Sequence, residues 1–186
     1  MRGFSTLTRD LDDTQYLSYL IEEYLTALTG VVEDDRGVVF QYTGDGLLAL
    51  FLCELAGSDD AAMLDRLVRH TGPLLHDTFR GLYERWLEEW RVRGGPGTEI
   101  GLGVGLSFGK ATIGFMGPSG KKQFGVIGEP VNVATFLCAE ARTGTTLVDH
   151  ASFARAGIIA PAARIVRLRS KARRQRIEAL CLRAAG

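Results

Sequence analysis

The residue with the most chemistry to offer is Asp45, in Thr43-Gly44-Asp45-Gly46, between two runs of apolar and β-branched residues within Val38 to Phe51. That pattern predicts a β-hairpin with a carboxylate at its tip. An Asp leaving a strand between two glycines can bring its oxygens close to a cation or a phosphate, because glycine leaves room for the approach. Asp-Gly is equally good turn chemistry on its own, so the residues by themselves leave both readings open. Other motifs are excluded. Gly101-Leu102-Gly103-Val104-Gly105 puts Leu106 where a dinucleotide fingerprint needs its third glycine. Gly120-Lys121 has Phe115 five positions before the glycine and lacks the following Ser or Thr, so it is not a phosphate-binding P-loop. His70, His76 and His150 have no metal-ligand spacing and are expected at the surface or as caps. No Ser/His/Asp or Cys/His set can be assembled.

Elements that must position the Asp45 turn follow from periodicity. Met1-Arg2-Gly3-Phe4 is expected to end a strand and turn into a helix, with Ser5, Thr6 or Thr8 available as caps. Leu17, Leu20, Ile21, Tyr24, Leu25 and Leu28 recur at helical spacing, predicting a helix over 14–28 ended by Gly30. Ser58-Asp59-Asp60 offers a cap for a second helix reaching about His70, which Gly72-Pro73 breaks or kinks. Phe79, Leu82, Tyr83, Trp86, Leu87 and Trp90 then form an aromatic stripe suited to a core or a dimer interface, with base stacking as the alternative. After the breakers Gly94-Gly95-Pro96-Gly97 the period becomes strand-like. Strands are predicted over 102–108, 111–116 and 123–127, and a helix from about Val131 to Ala141. A C-terminal unit adds strands over 146–148, 165–168 and 177–182. Helices alternating with antiparallel hairpins predict an α+β domain on one sheet, with no repeat and no second domain.

Composition narrows the class. A chain of 186 residues with 22 acidic and 22 basic side chains can bury a core and is no general polyanion binder. The charge is uneven, with a strongly basic stretch from Arg164 to Arg183. Cys53, Cys138 and Cys181 are odd in number and far apart, as buried thiols of a reducing compartment would be. No apolar run approaches the roughly 20 residues a membrane span needs. There is no basic-then-apolar leader, so a cytoplasmic location is expected.

Three stretches occur in order: Arg2-Gly3-Phe4-Ser5-Thr6-Leu7; Tyr42-Thr43-Gly44-Asp45-Gly46 with Phe51; and Phe124-Gly125-Val126-Ile127-Gly128-Glu129-Pro130-Val131-Asn132-Val133-Ala134. Together they resemble the class III adenylate/guanylate (nucleotidyl) cyclase catalytic domain over nearly the whole chain. The resemblance implies a ferredoxin-like βαββαβ core with a small C-terminal α/β extension, all in a single catalytic domain spanning 1–186. It also implies a head-to-tail homodimer with active sites at the interface. The implied reaction cyclises a nucleoside triphosphate to a 3′,5′-cyclic nucleotide plus pyrophosphate, using two divalent metal ions, Mg2+ or Mn2+. Asp45 matches a metal-binding aspartate. Asn132 matches the residue that orients the ribose; its alternative is a helix-end cap after Pro130. Lys171, in the basic hairpin, is the candidate triphosphate contact, with a merely solvated hairpin as its alternative. Gln41, Tyr42, Gly125, Phe4 and Ser5 fall at substrate-binding positions. No nucleic-acid partner and no membrane segment are expected.

Four departures from the family pattern shape the functional expectation. The other metal aspartate would fall two residues before Arg2, ahead of Met1, so the N-terminal strand is expected to be truncated. The purine-reading position holds Gln41, a neutral amide that can donate and accept. Its partner position holds Gly125, which offers no side chain. The position of a transition-state arginine holds Phe136, and losing a cation aimed at developing phosphate charge costs roughly a hundredfold or more in rate. Lys171 or Arg142 could compensate. Three functions remain open: a cyclase of unusual base preference, a pyrimidine (cCMP or cUMP) cyclase of an antiphage system, and a catalytically degenerate homology domain that binds nucleotide or dimerises.

Overall fold

A computed structural model of the chain describes residues 1–169 and 176–184. These gather into two compact units, one built on Met1–Gly103 with short returns at Arg142–Thr145 and from Arg183, the other on Val104–Ala141 and Thr146–Leu182.

In the first unit, Gly3 caps helix α1 (Phe4–Asp10) through its carbonyl, at 2.9 Å from the Leu7 N–H. No hydroxyl side chain caps this end, contrary to expectation; Thr8 instead donates back to the Phe4 carbonyl at 3.0 Å. Gly3 sits at φ 75°, and a Cβ there would lie 2.3 Å from the Glu99 carbonyl oxygen, so only glycine fits. Asp13 opens α2 (Thr14–Asp34), its carboxylate accepting from the Gln15 and Tyr16 N–H groups at 3.0 Å each.

The helix does not stop at Gly30. It runs on because Val31 and Val32 are buried, which more than offsets the roughly 1 kcal/mol that glycine costs in a helix. It ends instead where Arg36 turns left-handed at φ 61° and the Gly37 N–H reaches the Val32 carbonyl at 2.8 Å.

Strands β1 (Val38–Tyr42) and β2 (Leu47–Leu50) then pair antiparallel, with a register shift between Val39 and Gln41. After a short α3 (Cys53–Ala56), Asp59 caps α4 (Asp60–Arg66), accepting from the Ala62 N–H at 2.6 Å. One π-turn, Leu67–Thr71, leads into α5 (Gly72–Arg93). At the expected break the Gly72 N–H reaches back to the Leu67 carbonyl, and Pro73, which has no N–H to place, falls in the first turn of α5.

Most of the aromatic stripe is core, with Tyr83 half-buried and Leu87 exposed. Phe79, Leu82, Trp86 and Trp90 are buried with Leu20, Tyr24 and Leu28, and Tyr24 meets Phe79 edge-on at 5.8 Å between centroids. Trp86 is fully buried and donates its indole N–H to Glu23 at 2.7 Å. Burial of such a side chain is worth about 4–6 kcal/mol of transfer free energy.

His76 on α5 is also buried, a correction to the expected surface position. Removal from water pushes its pKa below the ordinary imidazole value, Asp77 pulls it up and Arg80 pushes it further down.

The second unit holds β3 (Gly103–Leu106), β4 (Thr112–Met116), β5 (Gln123–Ile127), α6 (Glu129–Glu140), β6 (Thr145–Asp149), α7 (His150–Arg155), β7 (Arg164–Arg169) and β8 (Arg176–Arg183). Helix α7 is not anticipated by periodicity; its signal is Asp149, which caps the Ala151 N–H at 3.3 Å.

The α+β composition matches expectation, but the described strands do not form one sheet. They form a four-stranded sheet in the order β3-β6-β8-β7 and two separate hairpins, β1–β2 and β4–β5. Each hairpin satisfies the backbone groups along its inner edges across its own turn. Val133 and Leu137 of α6, with Ala141 at its C-terminal cap, pack on Leu147 and Ala179 of the sheet.

The three cysteines are free and half-buried rather than fully buried. Among the described residues, no helix is long and apolar enough to cross a membrane.

Candidate active site

Asp45 lies where the hairpin predicted it, in the turn between β1 and β2. The turn closes through the Thr43 N–H on the Gly46 carbonyl at 2.8 Å, and Gly44 supplies φ 64°. The Asp45 side chain is partly exposed, and its Oδ2 lies 3.1 Å from the ammonium of Met1, which also donates to the Asp45 carbonyl at 2.8 Å.

Among the described residues no group of three His, Cys, Asp or Glu side chains converges as a metal site. Mg2+ needs no such cage, since it is commonly held by one or two carboxylates together with substrate phosphates and water. A single partly exposed carboxylate such as Asp45 is compatible with that mode of binding.

Two predicted contacts share the hairpin with it. Gln41, opposite Leu48, is exposed on β1. Tyr42, opposite Leu47, is half exposed, and its hydroxyl lies 3.0 Å from the Thr29 hydroxyl on α2. That bond ties the ring's hydroxyl end to the helix. Phe4 is half-buried and Ser5 exposed in the first turn of α1, just after Arg2, whose backbone pairs with Gly101 at 2.6 and 3.1 Å.

In the second unit, Gly125 is the middle residue of β5, opposite Gly114. The strand continues through Gly128 into α6, with Pro130 in the first turn. Asn132 follows, exposed on the helix and bonded through its backbone N–H to the Gly128 carbonyl at 3.5 Å. It caps neither end, because Gly128 and Ala141 hold those positions without a side-chain bond at the start. The cap alternative for Asn132 therefore falls.

Phe136 is partly buried and packs on the cluster of Val133, Leu137, Ala141, Leu147 and Ala179. Arg142 is exposed and belongs to the first unit. Lys171 lies outside the described residues.

A polar knot escaped sequence reasoning. Asp149 and Ser152 are buried, Arg155 pairs with Asp149, and Ser152 Oγ accepts from the Phe108 N–H at 2.8 Å while Arg155 Nε donates to the Phe108 carbonyl at 2.8 Å. It fixes the chain as β3 ends, shortly before the β4–β5 hairpin. The Asp149-x-x-Ser152-x-x-Arg155 spacing on one helix face is the signal that could have found it.

One recess of about 620 Å3, on the β7–β8 hairpin, is lined by Arg164, Ile165, Val166, Arg167 and Glu178, and contains no predicted site residue.

No protein-family model matches the chain. The chain superposes on the crystal structure of the guanylyl cyclase Cya2 with a TM-score of 0.77 at 19% identity, covering 100% of this chain and 89% of that one. On the adenylyl cyclase CyaB from P. aeruginosa the TM-score is 0.71 at 20% identity, covering 99% and 90%. The fold is therefore that of the class III nucleotidyl cyclase catalytic domain. By sequence, the chain is 24% identical over 135 residues to an adenylate cyclase of Anabaena cylindrica, covering 73% of this chain and 24% of the relative. It is 29% identical over 126 residues to an uncharacterized protein of Mycobacterium tuberculosis, covering 67% and 19%. The chain thus spans only about a fifth to a quarter of the curated relatives it matches.

Proposed function

We propose that this chain is a nucleotidyl cyclase catalytic domain that converts a nucleoside triphosphate to a 3′,5′-cyclic nucleotide and pyrophosphate in a head-to-tail homodimer. The ribose 3′-oxygen forms a bond to the α-phosphorus as the bond to the bridging oxygen of the β-phosphate breaks. Pyrophosphate leaves, and the hydroxyl proton passes to solvent. The observation that carries this reading is the partly exposed Asp45 carboxylate in its glycine turn on a cyclase fold.

Asp45 and the substrate phosphates would hold a divalent ion, Mg2+ or Mn2+, which neutralises triphosphate charge. Asn132 hydrogen-bonds the ribose and fixes the direction of the 3′-oxygen, which converts binding into a near-attack geometry. Gln41 meets the base edge with a donor and an acceptor, and the half-exposed Tyr42 lies next to it on the strand. Gly125 leaves room at the base without a contact of its own. Phe4 and Ser5 line the substrate from the start of α1, and Lys171 meets the triphosphate.

The test incubates the purified chain with ATP, GTP, CTP and UTP in turn with Mn2+. Cyclic product from at least one, reduced at least a hundredfold in Asp45→Ala, is expected. Product from CTP or UTP alone would assign the pyrimidine specificity that Gln41 and Gly125 leave open.

A second reading is favoured by Phe136. Its ring is part of the packing around α6, where a cation would be needed for transition-state charge. A domain with that residue committed to packing binds nucleotide without turning it over. Binding of each triphosphate with no cyclic product from any would establish it.

A further inference from the structure

The glycine-rich stretch 101–105 departs from the dinucleotide fingerprint, yet one of its glycines is placed with unusual tightness. A Cβ on Gly105 would lie 2.3 Å from the Ala134 carbonyl oxygen, 2.3 Å from the Cys138 amide nitrogen and 2.9 Å from Cys138 Cα. All three are backbone atoms of α6, so no side-chain rotation relieves the contact. Strand β3 and helix α6 touch main chain to main chain at this point.

We propose that Gly105 is a positioning residue for Asn132, setting how closely α6 lies on β3 and hence where its exposed face presents the amide. This rests on the reading of Asn132 as the ribose contact.

Ordinary contact begins at 3.4 Å, so an alanine at 105 must separate strand and helix by about 1 Å. The strand is poorly able to give. Beyond β3, Phe108 is tied to Ser152 and Arg155 by two 2.8 Å bonds. The helix start is tight as well, because a Cβ on Gly128 would lie 2.9 Å from Ala111 and from the Lys110 carbonyl. The displacement therefore falls on the segment from Val131 to Cys138, which carries Asn132. Misplacing a substrate-orienting group by about 1 Å can cost on the order of a hundredfold in rate.

The experiment compares Gly105→Ala with Gly114→Ala, a glycine of the same unit with nothing within 4 Å of its Cβ position. In Gly105→Ala, hydrogen exchange of the α6 amides from Val133 to Leu137 should rise at least tenfold, and kcat should fall about a hundredfold with KM within threefold. Gly114→Ala should leave both unchanged. Unchanged α6 exchange in Gly105→Ala overturns the proposal, whether or not turnover is lost. So does altered exchange with full kcat in an active chain. Altered exchange in a chain whose parent has no turnover supports the β3–α6 packing and refutes the cyclase reading instead. If Gly105→Ala does not fold, a crystal structure of the unsubstituted chain decides, and a Cβ position at 105 clearing the α6 backbone by 3.4 Å or more refutes the proposal.

Discussion

The two hairpins are built alike and employed differently. β1–β2 and β4–β5 each pair five or fewer residues per strand and turn back through glycine, yet neither joins a larger sheet. In the first, β2 is half-buried along its length and β1 is half-buried at Val39 and Phe40, and Gly37 lets the Phe51 ring and Val32 close in at its base. In the second, Phe115 is 72% and Phe124 57% exposed, and their rings pack edge-on at 5.4 Å. A hairpin held by its own helix can offer its turn to chemistry. The second hairpin leaves its aromatic rings in water, and its β5 runs on through Gly128 into α6, which carries Asn132.

Substitutions at equivalent places should separate the two. Gly37→Ala has the largest expected effect, because its Cβ would lie 2.6–2.7 Å from Phe51 and Val32 side-chain atoms. Overpacking of this kind should lower unfolding free energy by about 1–3 kcal/mol in a urea titration. Next, Asn132→Ala should reduce kcat about a hundredfold, at least as much as Gly105→Ala, with little change in melting temperature, a loss of about 2.7 kcal/mol of transition-state stabilisation. Phe115→Ala should cost about 0.5–1.5 kcal/mol, since the ring contributes one aromatic pair and little burial. Equal losses from Phe115→Ala and Gly37→Ala would erase the contrast between the hairpins.

The smallest effect concerns pH. The native pKa of His76 lies below its unfolded value of about 6.5, so the unfolded chain binds more protons between the two. His76 therefore stabilises the fold above about pH 6.5, and that contribution is lost as pH falls toward the lowered native pKa. Melting temperature measured from pH 7 to pH 5.5 should fall more in the parent than in His76→Gln.

Much of this was legible where local chemistry and tertiary structure agree. The glycine turn around Asp45, the strand over 123–127 and the aromatic stripe of α5 follow from spacing alone. Gly30 misled because helix termination depends on whether the next turn is buried, and the next turn holds Val31 and Val32. Burial of His76 is invisible to periodicity, since it shares an apolar face with Phe79 while carrying a polar ring. The α7 knot depends on Asp149, Ser152 and Arg155 meeting a loop more than 40 residues away in sequence. The tightness at Gly105 could not be read either, because a glycine in a strand looks the same whether its neighbour is solvent or a helix backbone.

The π-turn at Leu67–Thr71 acts as a phase joint. A π-turn takes up one residue more than a regular turn, which rotates everything after it by about 100° relative to what precedes. Met63, Leu64 and Val68 lie buried before or within it, and His76, Phe79, Leu82, Trp86 and Trp90 lie buried after it. Buried Asp35 holds the joint, accepting from the Thr71 hydroxyl and facing the Arg66 guanidinium. Deleting one residue here would keep a helix and turn its tryptophans toward water, so the length of this segment is as much a part of the core as the aromatic rings.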